Sequence, residues 1–269
     1  MSPCAPRASL RYFTVQPMPA PHRVQDEERP AVVWGEAPRA LEGGCLRCGE
    51  IHRFTHAAEL AIAPLIELFG ALDADPAHAA FRAALQVSGG KMLGVLIAEA
   101  ADGQRHVLRA HSGQVGATAR WPGWAGEVLR REAVAELEAQ TVAALAALTR
   151  ALEHTEPFAE RQVLRDARKR RSRALWSAML DATWLTNAAG LTLPICELLG
   201  TRAIPGGTTE CAVPRLLHAA NRARLRPVAV AEAWWGPPLN GRMHGQLQAP
   251  CARKCVPILG PLLCPRARP

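Results

Sequence analysis

Nowhere does the chain carry the ~20 uninterrupted apolar residues that a membrane-spanning helix needs, and its first residues hold proline and arginine where a secretory leader would be apolar. A soluble, cytoplasmic protein without a membrane partner is the expectation. Lysine is also scarce: of 32 basic residues, Lys91, Lys169 and Lys254 alone are lysines. The abundance of alanine and arginine suggests a GC-rich genome, so part of the arginine excess reflects mutational bias. The Gly-x4-Gly-Lys-Ser/Thr spacing of a phosphate loop is absent, which makes Gly89-Gly90-Lys91 the start of a strand. No Ser-His-Asp set and no paired carboxylates stand out, and no residue is assigned a catalytic role.

What is present bounds the fold. A chain of 269 residues, 49% hydrophobic, can bury a sizeable core. Its formal charge of +8 favours an acidic partner, and nucleic acid is the commonest in the cytoplasm. Eight cysteines in such a compartment point to reduced thiols, metal ligands or packing rather than disulfides.

Four stretches follow from composition and period. Residues 1–44, rich in proline and arginine, are expected to be mostly disordered. In 45–125, a helix after Thr55 ends at Asp73-Ala74-Asp75-Pro76, a short helix runs through Phe81 and Leu85, and the apolar runs 91–98 and 104–111 flank Asp102-Gly103 as a β-hairpin. In 126–190, apolar positions at helical intervals from Gly126 to Glu153 and a second helix from Phe158 to Trp184, broken at Glu156-Pro157, predict an antiparallel helical hairpin. In 191–269, a helix over 212–224, a strand over 227–235 and a short helix over 254–263, interrupted by Pro257, predict a small cysteine-containing α+β unit. The fold class is therefore α+β.

Five candidates could carry function. The second hairpin helix holds Arg161, Arg165, Arg168, Lys169, Arg170, Arg171 and Arg173 against Glu160 and Asp166, which fits either a solvated face or a grip on phosphates. Trp234 and Trp235 end the last strand; alternation would turn one outward to stack on a base, with Arg215, Arg242 and Arg253 nearby, although core packing is the commoner fate. Cys211 opens one predicted helix, and Cys251 and Cys255 open another; with His244 they offer four ligands for zinc, or else buried thiols. Cys45-x2-Cys48 with His52 has knuckle-like spacing, needing further ligands such as Cys4, His22 or His56, or is a coincidental pair. Glu232, in an apolar strand, is either ion-paired or polarised in a pocket.

The run Gly206-Gly207-Thr208-Thr209-Glu210-Cys211-Ala212-Val213-Pro214-Arg215, then Ala231-Glu232-Ala233-Trp234-Trp235-Gly236, then Pro250-Cys251-Ala252-Arg253-Lys254-Cys255-Val256-Pro257, resembles the N-terminal accessory region of a subset of RluA-type pseudouridine synthases. Gly90-Lys91-Met92-Leu93-Gly94-Val95-Leu96, Ser112-Gly113 and Arg170-Arg171-Ser172-Arg173 match in the same order. The resemblance implies work on RNA, rRNA or tRNA, in company with a pseudouridine synthase domain. The family's catalytic His-Arg-Leu-Asp motif is missing between Met1 and Pro269, so synthase activity is not carried over, and either a stand-alone module acting with a separate synthase or a truncated, inactive fragment is expected. The same cysteines also resemble those of a zinc nucleobase deaminase, with two departures. Glu210 directly precedes Cys211 instead of following it by two, and Cys251 and Cys255 enclose three residues instead of two.

Overall fold

The computed structural model of the chain describes residues 40–55, 58–116, 120–201 and 203–266. Most of the stretch expected to be disordered, together with Cys4, His22 and His56, lies outside them. In chain order the strands and α-helices are β1 (Ala40–Gly44), β2 (Ile51–Thr55), α1 (Glu59–Ala74), α2 (Ala79–Val87), β3 (Lys91–Glu99), β4 (Arg105–His111), α3 (Ala135–His154) and α4 (Phe158–Asp181). There follow β5 (Trp184–Thr186), β6 (Thr192–Pro194), α5 (Ile195–Leu199), α6 (Ala212–Arg222), β7 (Arg226–Trp235) and α7 (Val256–Leu263). Helices with small antiparallel sheets make this the α+β fold read from the sequence.

The central sheet has the order β4-β3-β7, all antiparallel. The hairpin expected around Asp102-Gly103 supplies β3 and β4, and β7 joins from more than a hundred residues downstream. Residues of 45–125 and 191–269 thus share one sheet. Both faces of that sheet are covered, which is why β3 reads as an almost continuous apolar run. Leu93, Val95 and Ile97 pack with Leu65, Leu72 and Phe81 of α1 and α2 on one face. Leu96 and Ala98 pack with Val213, Leu216 and Leu217 of α6 and with Leu259 of α7 on the other. Gly94 lets α6 close onto β3, since a Cβ there would lie 3.0 Å from Leu216 Cδ1 and 3.1 Å from Ala212 Cβ.

Two expectations need correction. The first helix of the helical hairpin begins at Ala135, not at Gly126, because 126–134 is used in tertiary pairing: Leu129 bridges Thr183 and the Arg130 amide donates to Ala182 O. Pro257 does not interrupt α7 but sits in its first turn, where a missing N–H costs no helical bond. Beyond the sheet, α3 and α4 pack chiefly on each other, and their only buried residues are Thr141, Leu152 and Leu180. They form an arm that joins the core only at the end of α4, where Leu180 and Trp176 pack into it.

Candidate metal centre and basic arm

Cys211 is the N-cap residue of α6, and Cys255 is that of α7. The chain between Cys251 and Cys255 makes one helical turn, with the amides of Cys255 and Val256 both donating to Cys251 O. A spacing of four residues puts two side chains on one face of such a turn, and the Sγ atoms stand 3.6 Å apart. The three-residue gap that departs from the deaminase pattern therefore still brings the thiols together. All three sulfurs of Cys211, Cys251 and Cys255 lie within 4.8 Å of one another. Cys251 is exposed, Cys211 half-buried and Cys255 buried.

His244 does not join them. Its ring packs against Phe69 and Trp235, with centroids 5.3 and 5.8 Å away, and its Nδ1 accepts from the Gly236 amide at 3.3 Å. These contacts place it with the α1 face of the sheet, whereas the cysteines stand at the starts of α6 and α7. The fourth ligand expected from the sequence is thus withdrawn, leaving a three-thiol group. Three protein ligands with one open position is the usual arrangement of catalytic zinc.

The thiols are electrostatically unequal. Hydrogen bonding from the Cys255 thiol, with help from Cys251 and the charges of Lys254 and Arg215, outweighs burial and lowers the Cys211 thiol to about 7. The same hydrogen bond, burial and the Cys211 charge push Cys255 strongly up. Without a metal, Cys211 becomes a thiolate before Cys255.

Glu232 stands beside this group. Its strand position is opposite Gly94, and α6 presents the Val213 amide to its carboxylate. Burial, reinforced by the negative charge of Cys211, raises its pKa to about 8, while Arg242 and the Val213 amide pull the other way. Of the two fates considered, ion pair or polarised pocket, the ion pair is not formed: no salt bridge to Glu232 appears among the described residues, and the carboxyl is buried. Glu210, which the sequence offered as the acid beside Cys211, has its backbone oxygen bound by the Gly113 amide and its carboxylate near Gly207. Next to it, Glu127, Arg131, Glu210 and Arg215 line a cavity of about 20 Å³, room for roughly one water molecule.

Other placements change the nucleic-acid expectation. Trp234 and Trp235 are both buried, at 4% and 5% exposure, because the sheet is covered on both faces and residues 245–248 run along β7. Neither can stack on a base, and Trp234 Nε1 donates to Pro237 O at 2.8 Å. Arg215, 2% exposed, donates to His111 O at 3.0 Å and is equally out of reach. Arg161 Nη1 donates to Leu152 O and Thr155 O at 2.6 and 2.8 Å, closing the C-terminus of α3. By contrast Arg165, Arg168, Lys169, Arg170, Arg171 and Arg173 are all exposed, and none forms a salt bridge among the described residues.

No family model, curated protein or solved structure matches the chain. No helix among the described residues is long and apolar enough to cross a membrane.

Proposed function

We propose that this chain is an RNA-binding module with a zinc centre, in which the α3–α4 arm holds the phosphate backbone. The carrying observation is the set of six exposed basic residues on α4, none of which has an ion-pair partner among the described residues. Cations that serve only solubility are commonly interspersed with acids, whereas these run from Arg165 to Arg173 with Asp166 as the one acid among them. Eight residues of helix rise span about 12 Å, and at 3.6 residues per turn Arg165, Arg168 and Lys169 share one face while Arg170 and Arg171 extend the charge around the helix. The resemblance to the accessory region of RluA-type synthases points to the same partner. Binding of a tRNA mixture or a single-stranded RNA oligonucleotide, followed by fluorescence anisotropy at low salt, tests this; absence of affinity there rejects it.

A second reading, a deaminase-like zinc hydrolase, is favoured by Cys211, Cys251, Cys255 and Glu232. Zinc bound by the three thiolates would supply Lewis acidity toward a water molecule. Glu232, protonated near neutral pH in the metal-free protein and near enough to Cys211 to feel its charge, would hold and return a proton, as exchange of an amino group for water demands. Cys211 at a helix N-terminus would hold its charge as a ligand, and Arg215 steadies it from inside the core. Ammonia release from RNA or nucleosides by zinc-loaded protein, abolished in Glu232→Gln, distinguishes this reading from binding alone.

A further inference from the structure

We infer that the chain has a second metal centre, a Cys3His zinc clasp formed by Cys45, Cys48, His52 and Cys264. It is separate from the group at Cys211, Cys251 and Cys255, and it does not depend on what that group does.

The β1–β2 hairpin is closed by the loop 45–50, in which the Cys45 amide donates to Glu50 O and the Gly49 amide returns to Cys45 O, both at 2.8 Å. Gly49, at φ +75°, supplies the left-handed turn that curls the loop so that Cys45 and Cys48 face one point. On β2, His52 brings its Nε2 to 3.0 Å from Cys48 Sγ. The fourth donor comes from the far end of the chain. Cys264, the C-cap of α7, has its Sγ 3.9 Å from that of Cys48. All four donor atoms lie within 4.8 Å of one another.

Zinc in a tetrahedral site has Zn–S bonds of about 2.3 Å, which place neighbouring sulfurs about 3.8 Å apart. The Cys48–Cys264 separation already matches. Three thiols and one imidazole are a donor set of structural zinc, and with four protein ligands no position is left for substrate. This distinguishes the clasp from the three-thiol group. Binding would release three thiol protons and leave a net charge of −1, beside which Arg266 stands paired with Glu50.

The clasp would add to the packing that already holds the hairpin on α7. Two-stranded hairpins are marginal alone in water, and β2 has no fully buried residue. What holds β1 is contact with α7, where Gly43 and Gly260 meet backbone to backbone. Zinc would fasten the loop to the C-terminal end of the helix whose N-terminal end carries Cys255, coupling the clasp to the position of the first group.

The experiment uses the full chain, purified without an affinity tag, carrying Cys251→Ser and Cys255→Ser so that the first group cannot contribute. Elemental analysis after brief chelator dialysis should find one zinc per chain. Adding Cys48→Ser should remove it, and adding His52→Gln should make it extractable at lower chelator concentration, with helical circular dichroism unchanged in both. Cobalt substituted into the parent should show tetrahedral thiolate bands that Cys48→Ser abolishes. The clasp is overturned if the Cys251→Ser/Cys255→Ser protein holds no zinc or cobalt, if its thiols titrate as a disulfide, or if zinc persists unchanged after Cys48→Ser. Because the first group is disabled throughout, none of these outcomes bears on the proposed function.

Discussion

Replacing Glu232 with glutamine should stabilise the metal-free protein near neutral pH. The carboxyl is buried under α6, and desolvation with the Cys211 charge lifts its pKa to about 8, whereas in the unfolded chain it titrates near the ordinary value of about 4.5. Its folded pKa is raised, so the unfolded state gives up the proton first. Stability from this group is complete below about pH 4.5, falls as pH rises and levels off above about 8. Linkage with these two values gives a loss of about 1 kcal/mol at pH 5 and about 3 kcal/mol at pH 7. Glutamine keeps the shape and an acceptor for the Val213 amide but does not titrate. Urea unfolding of both proteins in chelator should show the variant gaining by about 2 kcal/mol relative to the parent between pH 5 and pH 7. Bound zinc, a cation near the carboxylate, should shrink that gain. A difference that stays constant over this range, or a variant less stable than the parent at both pH values, refutes the placement of Glu232 as a buried, proton-holding acid.

Further outcomes follow from other sites. If all six exposed cations of α4 meet phosphates of single-stranded RNA, log affinity should fall with log salt at a slope of about −4, and Arg168→Gln/Arg170→Gln/Arg171→Gln should make it shallower by about 2; an unchanged slope places the RNA elsewhere. His218 Nδ1 accepts from the buried Thr186 amide, and burial lowers its pKa to about 3. The unfolded state is therefore protonated first as pH falls, and this residue should withdraw about 2 kcal/mol of stability between pH 7 and pH 5, a share that His218→Gln removes from the urea profile. In Gly260→Ala the new methyl would meet Gly44 O at a separation below contact, and because the neighbours are backbone the cost should be about 1–3 kcal/mol or more, read as a lowered unfolding midpoint.

Local signals carried much of the fold. Asp102-Gly103 between two apolar runs marked the β3–β4 hairpin, the period of Leu60, Leu65, Leu68 and Leu72 marked α1, and Glu156-Pro157 marked the break between α3 and α4. β1, β2, β5 and β6 went unread because each has five residues or fewer and is held by its partner rather than by propensity. Of the candidate sites, the convergence of Cys251 with Cys255 was legible as a helical spacing. That Cys211 joins them was not, and neither was the exclusion of His244, since both depend on where α6 and α7 come to rest on the sheet. A buried Glu in an apolar strand was the available signal for Glu232. Cys264 gave none, being more than two hundred residues from its partners.

What the sequence by itself determined is the set of local elements, the basic character of α4 and the supply of thiols, because periodicity, turn chemistry and charge act over a few residues. The tertiary structure alone decided which of those residues meet. Closure of α6 over Gly94 set Cys211 beside Glu232, covering of the sheet on both faces buried Trp234 and Trp235, and contact of Gly43 with Gly260 carried Cys264 to the 45–52 loop. Such meetings are governed by packing between segments distant in the chain, where a single missing Cβ fixes how closely two backbones approach.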